Sequence, residues 1–269
     1  MSANLVIIPT YNERENIAAM VHHVLGLAEG FHILVVDDNS PDGTAEAVRG
    51  LQAEFDGRLH LLTRPGKQGL GRAYVQGFEW ALAHNYDYVF EMDADFSHNP
   101  NDLPRLLRAC RDEGYDMAIG SRYVTGVNVV NWPMSRVLLS YFASAYVRLV
   151  TGMPLHDATA GFKCYRAEVL RTVLREPIRF LGYAFQIEMK FKAWMYGFKI
   201  KEVPIIFTER ERGQSKMTKG IVKEAALGVI RLKISSYFRS WSRNGNAPPP
   251  GLAPSTPPSV PVLSDANSH

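Results

Sequence analysis

Short apolar runs and polar links alternate along the first 120 or so residues. "LVIIP" (5–9), "HILVVDD" (32–38), "RLHLLTR" (58–64), "YDYVFEMD" (86–93) and "DMAIGSR" (116–122) read as strands. Helical spacing fills the gaps: "NERENIAAMVHHVLGLA", a segment from Asp42 or Thr44 to about Glu54, "GLGRAYVQGFEWALAHN" and about 101 to 113. Asn12 is the expected N-cap of the first helix, with Glu13 and Glu15 in its first turn, and Gly69 and Gly71 lead into the third. Strand–helix alternation with short links predicts an α/β fold: a mainly parallel sheet covered by helices.

After Tyr123 the alternation loosens. "MSRVLLSYFASAYVRLVTG" reads as a helix, "ATAGFKCYR" as strand-like, "AEVLRTVL" as a short helix, "AFQIEMKFKAWMYG" as a helix and "FKIKEVPIIF" as a strand. A last, basic helix is expected over 217–241, with two apolar rows: Ile221, Ala225, Val229 and Leu232, and Leu227, Ile230, Ile234, Phe238 and Trp241. A helix apolar on two sides needs two partners, here the domain and either a membrane surface or another subunit; full burial is the alternative. From residue 244 the chain has seven prolines and almost no charge, the composition of a disordered, extended tail.

With 46% hydrophobic and 21% charged residues, the 269-residue chain has a soluble, globular profile. Cys110 and Cys164 make no disulfide framework and are expected buried and reduced, as in the cytoplasm. The N-terminus lacks the features of a signal peptide and reads as a first strand. "VLLSYFASAYV" (137–147) is the longest approach to a membrane span and is too short for one. Net charge is +3, but Arg210 to Arg243 carries nine Lys or Arg against two Glu, a segment that attracts phosphates or an anionic surface. Aromatic residues do not interleave with these cations, so a nucleic-acid stacking platform is not expected.

Ligands of such sheets bind beyond the carboxyl ends of the strands. There lie "PTYNE", "DDNSPDG", "DADFSH" and "GSRY". Asp93 and Asp95 form a hard, oxygen-rich pair whose repulsion a divalent cation relieves; magnesium or manganese takes such carboxylates together with substrate phosphates. Asp37 and Asp38 suit a ribose or base, or cap a helix. No GxGxxG or Walker motif occurs. Arg122, Arg210, Arg212 and Lys216 supply cations for a diphosphate leaving group and a second anionic substrate.

"IIPTYNERENI", "VVDDNSPDGT", "KQGLGRAYVQGF", "EMDADFSH", "GSRYV", "DATAGFKCYR", "GYAFQIEM" and "ERERGQSKM" follow in order across about residues 4 to 220. In these blocks the chain closely resembles the dolichyl- or polyprenyl-phosphate mannose synthases, within the family-2 inverting glycosyltransferases. The resemblance implies a GT-A fold with a Rossmann-like half, GDP-mannose as donor, a polyprenyl monophosphate as acceptor and Mg2+ or Mn2+ as cofactor. It implies a catalytic domain over 1–240, with a nucleotide-binding half (1–123) and an acceptor and membrane-associating half (124–240), then a Pro-rich tail (241–269). Pro9, Tyr11, Glu13, Val36 and Asp38 would hold the guanosine. Met92 and Ala94 would line the nucleotide site, and Asp93 and Asp95 would bind metal and diphosphate. Arg122, Arg210 and Lys216 would bind the phosphates of donor and acceptor; the catalytic set is Asp93, Asp95, Arg210 and Lys216. Ser97 stands where other members carry Gln, and its shorter side chain weakens it as a metal ligand. His98 is a candidate for outer support of the metal, or a hydrogen-bonded turn residue. Attachment to the cytoplasmic face of a membrane would be peripheral, through 136–149 and the last helix.

The acceptor chemistry is consistent with this. An alcohol needs a general base to take its proton. A phosphate monoester, with its second pKa near about 6, is already largely dianionic and needs only cations. The alternatives are a UDP-glucose-dependent polyprenyl-phosphate glucosyltransferase and a non-catalytic nucleotide- or lipid-binding partner.

Overall fold

The structure, a computed structural model, describes residues 3–55, 57–182, 184–209 and 219–243. Its elements in chain order are β1 (Asn4–Thr10), α1 (Arg14–Leu25), β2 (Phe31–Asp37), α2 (Thr44–Gln52), β3 (Leu59–Thr63), α3 (Leu70–Ala83) and β4 (Tyr88–Glu91). Then come α4 (Leu103–Arg111), β5 (Met117–Ser121), β6 (Val129–Val130), α5 (Met134–Thr151), β7 (Lys163–Arg166), α6 (Ala167–Val173), α7 (Ala184–Met195), β8 (Ile200–Pro204), β9 (Phe207–Thr208) and α8 (Lys219–Ser236). Arg210, Arg212 and Lys216 lie outside the described residues, as does the tail from residue 244.

A seven-stranded sheet runs β3-β2-β1-β4-β7-β5-β8. Every neighbouring pair is parallel except those of β7, which is antiparallel to both β4 and β5. Leu5, Val6, Ile7 and Ile8 of β1 are all fully buried, because helices cover both faces. One core gathers Leu5, Ile7, Phe78, Tyr165, Phe185 and Val229; the other gathers Val6, Ile8, Val21, Phe90, Leu106 and Phe162. Alternate residues of β1 thus feed opposite cores. Gly77 lets α3 lie on β1: a Cβ there would stand 2.8 Å from Ile7 Cγ2. A second, two-stranded ribbon pairs β6 with β9 in parallel.

Two expectations need correction. Asn12 does not cap α1: it lies in the left-handed region at φ 60°, and Glu13 holds the N-cap position without a side-chain hydrogen bond. The cap comes from the neighbouring loop, where Asp42 Oδ2 accepts from Arg14 N at 3.1 Å. Nor is α8 buried all round. Val229 and Leu232 are buried, but Leu227, Ile230, Ile234 and Phe238 are exposed, whereas Trp241 packs partly against the core. The side chains of Ile221 and Ala225 lie outside the description. α5 also exposes Leu138, Leu139, Phe142 and Leu149. Among the described residues, no helix is long and apolar enough to cross a membrane.

Candidate active site

The ends of β1 and β2 are locked together. Their register pairs Pro9 with Val36 and Thr10 with Asp37. Backbone N–H groups of Asn12, Glu13 and Arg14 donate to Ser40 Oγ, Thr44 Oγ1 and Asp42 Oδ2, each at 3.1 Å. Asp37 caps no helix; it accepts from Thr10 Oγ1 at 2.8 Å and from Ser40 N and Oγ at 2.9 and 2.6 Å. Asp38 pairs with the buried Arg64, and Lys67 Nζ lies 4.9 Å above the Tyr11 ring. Burial, opposed by Arg64, pushes the Asp38 carboxyl above its ordinary value. Tyr11, Glu13 and Asp38 therefore share one rim with two cations, a surface suited to the polar edges of a nucleoside.

The next rim segment is the acidic turn. β4 stops at Glu91, so Asp93 and Asp95 follow it in a turn and not on the strand. Glu91 is fully buried, with Lys163 Nζ at 2.9 Å, the Tyr165 hydroxyl at 2.6 Å and Gln186 Nε2 at 2.9 Å. It is a structural anchor. Met92 and Ala94 turn their side chains into the core. Phe96, at φ 57°, reverses the chain. Ser97 donates to Asp95 Oδ1 from N at 3.1 Å and from Oγ at 2.6 Å, so its hydroxyl proton is committed to the acid.

From this turn a cavity of about 350 Å³ runs inward. Its lining combines Asp93, Ser97 and His98 with Arg122, Trp132 and Arg136 and with the apolar Leu139, Phe142, Ala143 and Tyr146 of α5 and Ala226 and Val229 of α8. Of the expected site residues, Asp93, Ser97 and Arg122 meet here; Pro9, Tyr11, Glu13 and Asp38 stand outside, at the ends of β1 and β2, and Val36 is buried in the core.

Arg122 is fixed on two edges. Asp157, itself fully buried, accepts from Arg122 N at 3.0 Å, Nε at 2.7 Å and Nη2 at 2.7 Å, and Thr159 Oγ1 accepts from Nη2 at 2.8 Å. Burial opposes both charges, yet the pair wins: Arg122 is raised and Asp157 lowered from their ordinary values. Glu202 on β8 supports the pair, accepting from Ser121 Oγ, His156 N and Asp157 N at 2.8, 2.7 and 2.8 Å. Arg136 stacks over Trp132 at 4.1 Å and pairs with Glu209. Sequence reading passed over Arg136, Asp157 and Glu202. For Arg136 the signal was present, as the cation flanking the apolar run of α5; Asp157 stood in the block "DATAGFKCYR" without an assigned role, and Glu202 gave no local signal, since its partners are 45 or more residues away.

His98 is 4% exposed, stacked on Phe162 and edge-on to Phe207, both at 5.1 Å. Its Nδ1 is buried without a hydrogen-bond partner among the described residues. Burial pushes its pKa down to about 4.

The acidic turn fits a divalent cation. The Tyr74 hydroxyl, buried and without a hydrogen-bond partner among the described residues, is pushed well above its ordinary value, first by burial and then by the charges of Asp93, Glu91 and Asp95. Among the described residues no group of three or more His, Cys, Asp or Glu forms a metal cluster. A site offering two carboxylates and leaving other positions to phosphate oxygens is what magnesium or manganese takes.

Comparison with known proteins agrees with this geometry. The family model described as Glycosyl transferase family 2 matches residues 5–174. Polyprenol monophosphomannose synthase of Mycolicibacterium smegmatis is 49% identical over 225 residues, 84% of this chain and 84% of that protein. Undecaprenyl-phosphate mannosyltransferase of Micrococcus luteus is 48% identical over 234 residues, 87% of this chain and 95% of that protein. Among solved structures, glucosyl-3-phosphoglycerate synthase from Mycobacterium tuberculosis with Mn2+, UDP and glucosyl-3-phosphoglycerate superposes with a TM-score of 0.61 at 16% identity, over 87% of this chain and 80% of that one. The same enzyme with Mg2+ and UDP gives 0.59 at 17% identity, over 87% and 79%. These likenesses carry the GT-A fold. On the family match and the long, nearly half-identical alignments, this chain is a sugar-transferring enzyme that belongs to glycosyl transferase family 2.

Proposed function

We propose that the protein transfers mannose from GDP-mannose to a polyprenyl, dolichyl-type, monophosphate with inversion, giving polyprenyl-phosphate β-mannose and GDP. One observation carries the reading: a single cavity joins an acidic turn, two arginines and an apolar slot between α5 and α8. Anionic headgroup and hydrocarbon need these surfaces side by side. The names of the two bacterial relatives support the same acceptor and sugar.

The rim of Tyr11, Glu13 and Asp38 orients the nucleoside. Asp93 and Asp95 would hold Mg2+ or Mn2+, which neutralises diphosphate charge when bound. Arg122, rigid on its Asp157 support, and Arg136 hold the acceptor phosphate against its repulsion from the diphosphate. An oxygen of that phosphate attacks the anomeric carbon opposite the diphosphate oxygen; the new C–O bond forms as the old one breaks, and the electron pair leaves with GDP. No proton is removed from the acceptor, so no residue serves as general base. Arg210 and Lys216, expected to offset the same repulsion, belong to this proposal by resemblance.

The exposed apolar residues of α5 and α8 would lie in the headgroup region of a membrane, with Arg136, Arg148, Arg231 and Lys233 on the same helices for anionic lipid. The test is radiolabelled GDP-mannose with a short polyprenyl phosphate, with and without magnesium. Lipid-extractable label that requires the metal is the expected result. Label from UDP-glucose instead supports the glucosyl alternative, and nucleotide binding without transfer a non-catalytic partner.

A further inference from the structure

Lys163, Lys190 and Lys192 are all buried, and they are not alike. Lys163 Nζ has Glu91 at 2.9 Å, and Lys192 Nζ has Glu188 at 3.1 Å. Lys190, fully buried on α7, has no carboxylate at ion-pair distance among the described residues. Its Nζ donates instead to two carbonyls, Ala160 O at 2.6 Å and Gln186 O at 3.2 Å. Burial, and then Lys163, drive the amine well below its ordinary value; Arg122 adds to this, while Asp157 and Glu91 oppose it. An uncharged amine has two N–H donors, and the two carbonyls match them. The lysine thus acts here as a long neutral donor and not as half of an ion pair.

Ala160 belongs to the turn that holds Arg122. Asp157 and Thr159 accept from the guanidinium, and Thr159, Ala160 and Gly161 line the cavity. This turn is fastened at both ends. Glu202 of β8 accepts from His156 N and Asp157 N, and Lys190 of α7 donates to Ala160 O. The link inside the turn is long, with Ala160 N donating to Asp157 O at 3.4 Å. An apolar side chain at 190 would remove the donor that Ala160 O has among the described residues, and a buried carbonyl left unpaired shifts to find another. Lys190 itself is not part of the cavity lining.

We propose that Lys190 is a positioning residue of the transfer reaction: by holding Ala160 O it sets the 157–161 turn, and through that turn the angle at which Arg122 meets the acceptor phosphate. This deepens the proposed function and rests on it.

The experiment uses the full chain, with magnesium present throughout. Affinities for GDP and for a short polyprenyl phosphate are measured by calorimetry, and transfer by extraction of label. For Lys190→Met the expected result is a fall of about tenfold in affinity for the polyprenyl phosphate and a matching rise in its KM, the size of one lost hydrogen bond. GDP affinity and the KM for GDP-mannose stay within about twofold. A purely structural role gives a different pattern: a smaller folded fraction lowers apparent kcat and leaves both KM values, and the ratio of the two affinities, where they were. Thr159→Val supplies a second reading. Both substitutions loosen one guanidinium, so the double variant should lose less acceptor affinity than the product of the single losses. An unchanged affinity ratio overturns the assignment, as does a fall shared equally by GDP or a full multiplication of the two losses. If Lys190→Met does not fold, Lys190→Gln, a shorter neutral donor, takes the same measurements; if neither folds, the residue holds the fold and the assignment falls. Wild-type protein that binds GDP but no polyprenyl phosphate would instead strike the proposed function, and so the two failures are distinct.

Discussion

Replacing Asp157 with Asn leaves the Arg122 guanidinium buried beside a neutral amide. The wild-type pair has contacts of 2.7 Å at both Nε and Nη2, and Asp157 is fully buried. At that separation and an effective dielectric near 20 the attraction is about 6 kcal/mol. Relaxation and water entry soften the loss, so breaking one partner of a buried pair costs about 3–5 kcal/mol. For a domain of this size each kcal/mol moves the midpoint by about 2–4 °C, which predicts a fall of roughly 6–20 °C. Urea unfolding and calorimetry read it directly. Adding Arg122→Met removes the stranded charge and should restore most of the stability while abolishing transfer. The folded pKa of Asp157 is lowered, so its contribution is complete above its unfolded value of about 3.9 and is lost as pH falls through the folded value. A loss under about 1 kcal/mol in Asp157→Asn, or additive losses in the double variant, would refute the account of Arg122 as a cation that depends on its counter-charge.

Stability should also drop on the acid side of neutrality through His32 and His60, whose pKa values are lowered first by burial. Their unfolded forms take protons first, so the contribution is present above about pH 6.5 and lost as pH falls through the folded values; urea midpoints at pH 5 and 7.5 in wild type and His60→Phe test it. Gly77→Ala should destabilise by about 1–2 kcal/mol in denaturant titration, since overpacking against Ile7 exceeds the helix-propensity gain. Phe142→Glu combined with Phe238→Glu should cut sedimentation with anionic vesicles at low salt while leaving the melting point within a few degrees, as both side chains are exposed; unchanged binding would count against the membrane-facing surface. Lys216→Ala should lower turnover strongly, and near-normal turnover would remove it from the proposed phosphate clamp.

The strands and their order along the chain were legible because their apolar runs are short, uninterrupted and bounded by turn residues. The acidic pair Asp93 and Asp95 just beyond the fourth strand was legible too. What local pattern cannot carry is partnership across the sheet. Asn12 has the right chemistry for a cap, but Asp42 reaches Arg14 from a loop 28 residues on and Ser40 takes the Asn12 N–H, which leaves Asn12 in the left-handed region. The antiparallel setting of β7 has no signature in "KCYR". The acids that hold Arg122 lie in "HDATAG" and on β8, far along the chain, and nothing near Arg122 announces them. The two rows of α8 did signal two environments, and the exposed one is now specified as continuous in kind with the apolar residues of α5.

The place of β7 has a consequence for synthesis. β4 and β5, which carry the acidic turn and Arg122, never touch as a pair; a strand made some 40 residues after β5 spaces them. Strands lie about 4.8 Å apart, so this single insertion sets the two strands about 10 Å apart. A ribosome that has released only the first 123 residues has produced the acidic turn and Arg122 but not their spacer, and leaves open the edge of β4 and both edges of β5. The spacing of the acidic turn from Arg122 is therefore fixed late, when the Lys163–Arg166 segment enters the sheet.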